Sequence, residues 1–139
     1  MSFEEKNIWA MAVITPGTFL AYLVVVCGRA QGGALSEVAY QWPMVTAIGV
    51  AILVSILAHI AVAISAPEEA DKKDERDAQI GRHGGYVGSF VITAGALAAL
   101  VLAMAEVGHF WIANAIYAGF ALADLTGSAA KICAYRRGF

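Results

Sequence analysis

Long apolar runs alternate with short polar ones along this chain. Four stretches, at about 8–28, 42–66, 84–105 and 109–131, are almost continuously apolar. A membrane-spanning helix needs about 20 mostly apolar residues, and inside lipid a helix pairs all of its own backbone polar groups. The pattern predicts an all-α chain: an integral membrane, antiparallel four-helix bundle forming one transmembrane domain over residues 1–139.

The connections differ in kind. Glu106-Val107-Gly108 is a very short turn, which makes the third and fourth helices antiparallel neighbours. Between the first two helices, Leu35, Val38, Ala39 and Trp42 share one helical face, and that segment reads equally as an in-plane amphipathic helix or a plain loop. The loop over residues 67–83 is rich in both signs of charge. Pro67 suits the first position of a helix, and the acids after it suit that helix's positive end. Glu68–Lys72 and Glu69–Lys73 are four apart in the favourable order, so a short solvated helix is expected to lead into the third span.

Composition agrees with a lipid environment. Hydrophobic residues make up 60% and charged residues 14%, with a mean hydropathy of +0.68. Soluble domains carry about 45–50% apolar and about 25% charged residues. The net charge of −2 gives no electrostatic reason to bind nucleic acid. Lysine and arginine placement sets the orientation. Lys6, Lys72, Lys73, Arg76, Arg82, Lys131, Arg136 and Arg137 fall on one side, and Arg29 alone falls on the other. The expected orientation therefore puts both termini and the 67–83 loop in the cytoplasm. Trp42, Tyr40, Phe110 and Trp111 would form the outer aromatic belt, and Trp9, Tyr86, Tyr135 and Phe139 the inner one. The first run follows Glu4-Glu5-Lys6, a flank that is not clearly positive, and is longer than a signal-peptide core, so it reads as a mature helix. Cys27 and Cys133 fall at opposite faces and read as inert apolar residues.

Small residues mark packing seams, because they let backbones approach in lipid. The third span has one row at Gly81, Gly85, Ser89 and Thr93, with Gly84 and Gly88 beside it. The second span has Ala47, Ala51, Ser55, His59 and Ala63. Pro16-Gly17 is expected to interrupt the first span, flanked by Thr15 and Thr18.

The fourth span carries the strongest chemical signal. Asn114, Tyr117, Ala121, Asp124, Ser128, Lys131 and Tyr135 are spaced by threes and fours and so share one face. Asp124 lies roughly 10 Å inside Lys131. His59 on the second span, Ser89 on the third and Thr15 on the first fall near the same depth. These residues are expected to form a buried polar site. An acid inside a membrane is expensive to place and is a functional candidate for that reason. Interhelical hydrogen bonding between Asp124 and His59 is an equally good account. Haem between spans would want paired histidines, and only His59 lies within one, so no cofactor is expected. His83 with Asp74 and Asp77 matches no metal-ligand spacing, and neither nucleophile-triad nor phosphate-loop patterns occur.

The segment Lys73-Asp74-Glu75-Arg76-Asp77-x-x-Ile80 running into a span resembles a feature of small prokaryotic four-span membrane proteins with no assigned function. The resemblance implies a plasma-membrane location and brings no activity. Four spans in a short chain are also similar to the small multidrug resistance transporters. Those carry an essential glutamate in the first span, where this chain has no acid. The functional expectation is a non-enzymatic accessory, regulatory or interaction subunit that meets a protein partner at Asp74, Glu75, Arg76 and Asp77. The alternative is a small proton-coupled transporter using Asp124 and His59, working as a homodimer.

The charge asymmetry makes a direct prediction. With Cys27 and Cys133 replaced by alanine, cysteines introduced at Ala70 and Gly138 should be shielded from impermeant thiol reagents in intact cells. One at Ser36 should react. Labelling at Ala70 without lysis would reverse the orientation.

Overall fold

The computed structural model describes residues 1–68 and 74–138. Four helices account for most of them: α1 (Phe3–Ala30), α2 (Gln41–Ser65), α3 (Glu75–Met104) and α4 (His109–Arg137). A single 3₁₀ turn, Leu35–Glu37, lies between α1 and α2. The fold is all-α, and α1, α2 and α3 are long and apolar enough to cross a membrane. α4 is less apolar than these three because it carries the polar stripe.

Local chemistry explains the helix ends. The Ser2 hydroxyl accepts a hydrogen bond from the Glu5 amide and caps α1, with Glu4 and Glu5 in the positive first turn. Asp74 caps α3 through a 2.7 Å bond from the Glu75 amide. The expected helix start at Pro67 is not formed: Pro67 and Glu68 lie in a turn. The Glu68–Lys72 and Glu69–Lys73 pairs, like Phe139 of the inner belt, extend outside the described residues. The expected break at Pro16 is also absent, and α1 is continuous from Phe3 to Ala30. Proline removes one donor from the ladder. Beside it the Thr18 hydroxyl donates to the Ile14 and Thr15 carbonyls, which ties that turn together.

α3 and α4 are joined by a turn with a specific construction. The Glu106 amide donates to Ala103 and the Val107 amide to Leu102, while Glu106 takes the left-handed conformation with φ of 54°. This is a Schellman motif whose left-handed position, usually glycine, holds a glutamate.

The helices pack in the order α2, α1, α4, α3, so that α1 lies between α2 and α4, and α4 between α1 and α3. The α3–α4 contact is the closest. A Cβ built on Gly88 would lie 3.0 Å from the Ala123 carbonyl oxygen, and one on Gly95 would lie 2.8 Å from the Gly119 Cα. One on Gly127 would lie 2.9 Å from the Gly84 carbonyl oxygen. The sequence reading is corrected on which glycine row is inside. Gly81 and Gly85 meet nothing within 4 Å among the described residues, and Ser89 and Thr93 are exposed. The row beside them, Gly84 and Gly88, forms the seam. The α2 row at Ala47, Ala51, Ser55 and Ala63 is half-buried. Among the described residues α2 buries none fully, and Trp42 at its start is 79% exposed.

The segment between α1 and α2 is a loop with one 3₁₀ turn rather than an in-plane amphipathic helix. Leu35 and Val38 pack onto a core formed by Tyr22, Val26, Phe110 and Tyr117, whereas Ala39 is exposed. Tyr40 and Phe110, assigned to the outer belt, contact each other edge to face at 5.4 Å.

Gly88→Leu should cost at least about 2 kcal/mol of detergent stability by forcing α3 from α4. Gly85→Leu should cost nothing. Glu106→Gly should add up to about 1 kcal/mol by relieving the left-handed glutamate. Thermal unfolding of the three variants checks all three signs, and equal loss from Gly85→Leu and Gly88→Leu would show that the wrong row has been placed inside.

Candidate functional site

Asn114 and Tyr117 of the α4 polar stripe face α1, whereas Lys131 and Tyr135 lie against α3. At the Arg29 end, Tyr22 is only 2% exposed. Its hydroxyl donates to the Asn114 Oδ1 at 2.7 Å, and the Asn114 amide donates in turn to the Phe110 carbonyl at 2.8 Å. Phe19 and Tyr22 surround the Tyr117 ring at 5.0 and 5.2 Å. The Tyr117 hydroxyl is enclosed beside Thr18, without a well-aligned hydrogen bond among the described residues. Tyr22 was not singled out from the sequence. Its signal was available: a tyrosine in the interior of an apolar span needs a partner for its hydroxyl.

Further along α4, on the helical face that carries Asn114 and Tyr117, are Asp124 and Ser128. Ser128 is 3% exposed. Asp124 is half-buried, and its Oδ2 is enclosed with no hydrogen-bond partner among the described residues. The expected pairing with His59 is not formed. His59 is exposed on α2 and packs edge to face on Phe3, with ring centroids 5.6 Å apart. The physical reason is the helix order: α1 stands between α2 and α4. Ser89 is also outside the site. It is exposed, and its hydroxyl bonds back to the Tyr86 carbonyl at 2.7 Å. Thr15 stays half-buried on α1. The structure therefore joins Asn114 and Tyr117 to α1, keeps Asp124 and Ser128 on the same face of α4, and leaves His59 and Ser89 out.

The end of the bundle that carries α3's start is fastened by the charged segment. Asp77 accepts a hydrogen bond from the Tyr135 hydroxyl on α4. The Arg76 guanidinium donates to the Tyr135 carbonyl at 3.4 Å and lies 6.0 Å from the Tyr135 ring centre. Ile80, one turn further, is completely buried. On α4, the Arg136 guanidinium lies 5.6 Å from the Trp9 ring centre on α1. Of the residues expected to face a protein partner, Asp74 caps α3, and Arg76 and Asp77 clasp α3 to α4, while Asp74, Glu75 and Arg76 remain exposed. Burial and the adjacent Asp77 carboxylate together push the Tyr135 phenol above its ordinary range.

The raised value has a definite sign. Tyr135 donates only while protonated, so its contribution is fully present below about pH 10, the unfolded value, and is lost as pH rises through the higher folded value. Tyr135→Phe should lower stability at neutral pH and flatten the alkaline decline of the melting temperature. At the other end, Tyr22→Phe should cost about 0.6 kcal/mol, the average for an interhelical hydrogen bond in a membrane. An alkaline limb unchanged by Tyr135→Phe would remove the clasp's hydrogen bond from the account. Comparison of the chain with protein-family models, with curated proteins and with solved structures finds no match.

Proposed function

We propose that this chain is an integral protein of the prokaryotic plasma membrane. It crosses four times, with the Asp77–Tyr135 clasp in the cytoplasm, and works as an accessory, regulatory or interaction subunit rather than as an enzyme. The observation that carries the reading is α2, a full-length apolar helix with α1 as its one extensive neighbour. Leu53, Ile56, Leu57 and Ile64 stand more than half exposed on it. A soluble protein would leave such a surface in contact with water at large cost, whereas lipid or another membrane helix solvates it. α4 fits the same membrane placement despite its polar stripe. Asn114, Tyr117 and Ser128 point inward, while Ile116, Phe120, Leu122 and Leu125 form its exposed side. Several polar groups that chemistry would draw on are spent on joining helices: Tyr22 with Asn114, and Asp77 with Tyr135.

Photo-crosslinking residues at Ile52 and Ile56 should give one discrete protein adduct in intact cells, and the same residue at Leu100 on α3 should give none. Adducts to lipid alone from both α2 positions would overturn the interaction role and leave the membrane placement standing.

A second reading, a small proton-coupled transporter, is favoured by one observation: the enclosed, unpaired Oδ2 of Asp124. In that reading Asp124 works without His59. Proteoliposomes holding a pH-sensitive dye under an imposed potential would show protein-dependent proton entry that Asp124→Asn abolishes while the fold survives. Entry equal in wild type and Asp124→Asn would exclude it.

A further inference from the structure

The outer half of the α1–α2 contact is not closed. A groove of about 350 Å³ runs between the two helices, lined by Thr18, Tyr22 and Val25 of α1 and by Thr46 and Val50 of α2. Its wall is mainly apolar. From Thr18 to Arg29 the groove follows α1 for roughly 16 Å, about half the thickness of a bilayer's hydrocarbon core. Arg29 closes that end, and it also lines a second, more polar hollow of about 380 Å³. Glu37 lines the second hollow, together with Gly33 and Ala39. The Arg29 guanidinium is exposed, and its hydrogen bond to the Ala39 carbonyl is a long one at 3.5 Å. Arginine presents several donors in a fixed fork that suits a phosphate.

An apolar channel one leaflet deep, a cation where it meets the surface, and a carboxylate in the adjoining polar hollow form an ordered series. We propose that this series is a binding site for one phospholipid with an amine-bearing headgroup. An acyl chain lies in the α1–α2 groove, the phosphate sits on Arg29, and the headgroup ammonium meets Glu37. A purely anionic headgroup would satisfy Arg29 and bring a second negative charge or a hydroxyl toward Glu37. The zwitterionic amine headgroup complements both charges. The site rests on the membrane placement proposed above and specifies which lipid the groove selects.

Native mass spectrometry of the full chain, released from mixed micelles with equal phosphatidylethanolamine and phosphatidylglycerol, tests it. Wild type should retain one phosphatidylethanolamine, with a preference of about tenfold, the scale of one charge-assisted hydrogen bond. Arg29→Gln should lose retention of both lipids. Glu37→Gln should keep retention and lose the preference. Val25→Trp fills the groove from a half-exposed position, so it should lose the lipid while the circular dichroism and melting temperature stay at wild-type values. Equal retention by wild type and Arg29→Gln would overturn the site, as would a wild-type preference for phosphatidylglycerol. A chain that fractionates with the soluble proteins of the cell would instead overturn the membrane placement, and the two failures are told apart by that fractionation.

Discussion

The rest of the structure depends on the backbone-to-backbone contact of α3 with α4. In the membrane placement proposed above, the hydrophobic effect gives helices no reason to associate, because lipid tails are as apolar as their side chains. What remains is van der Waals contact and weak carbonyl interactions, both of which need the backbones close. Gly84, Gly88 and Gly95 on one helix and Gly119 and Gly127 on the other permit that approach, since a methyl group at several of these sites would fall inside contact distance. The short Schellman turn holds the two helices in antiparallel register, so seam and turn reinforce one another. Every other element is placed relative to this pair.

α4 presents two different chemistries to its two neighbours. Toward α3 it is small along the glycine seam, where association comes from proximity, and polar only at the end where Tyr135 meets Asp77. Toward α1 it is polar and aromatic, and association there comes from direction. Tyr22 with Asn114 fixes one end of α1, and Trp9 beneath Arg136 fixes the other. A single hydrogen bond adds little stability, yet it discriminates strongly between rotations of a helix, because a wrong rotation leaves a polar group unpaired against apolar surroundings. Asn114 of the polar stripe thus orients α1, and the glycine seam with the Tyr135 clasp binds α3.

The four helices and the short turn at Glu106 were legible in the sequence, because long apolar runs and turn residues act locally. The packing partners were less so. Two rows of small residues run along α3, four apart in each case, and local spacing cannot say which one is inside. The deciding information sits on α4, where Gly119, Ala123 and Gly127 are also four apart and offer a complementary surface. The Asp124–His59 pairing was inferred from depth alone. Depth sets the level of a residue in the bundle and leaves its bearing around the helix axis open, and α1 occupies the space between the two. The segment from Asp74 to Asp77 reads as a solvated charge run because its partner, Tyr135, lies on a different helix far along the chain.

The position of α2 at the end of the helix row has a dynamic consequence. An element held by one interface can separate by breaking that interface alone, whereas removing α4 would break two. α2 is therefore the part of the molecule whose opening free energy is smallest and whose amides should exchange soonest, a unit of local unfolding distinct from the α3–α4 hairpin. Gln31 and Gly32 at the end of α1, with φ of 45° and 80°, already hold the left-handed turn about which such a swing would pivot. The order of opening expected of the molecule therefore runs from α2, beyond its Tyr40 anchor on Phe110, inward to the glycine seam.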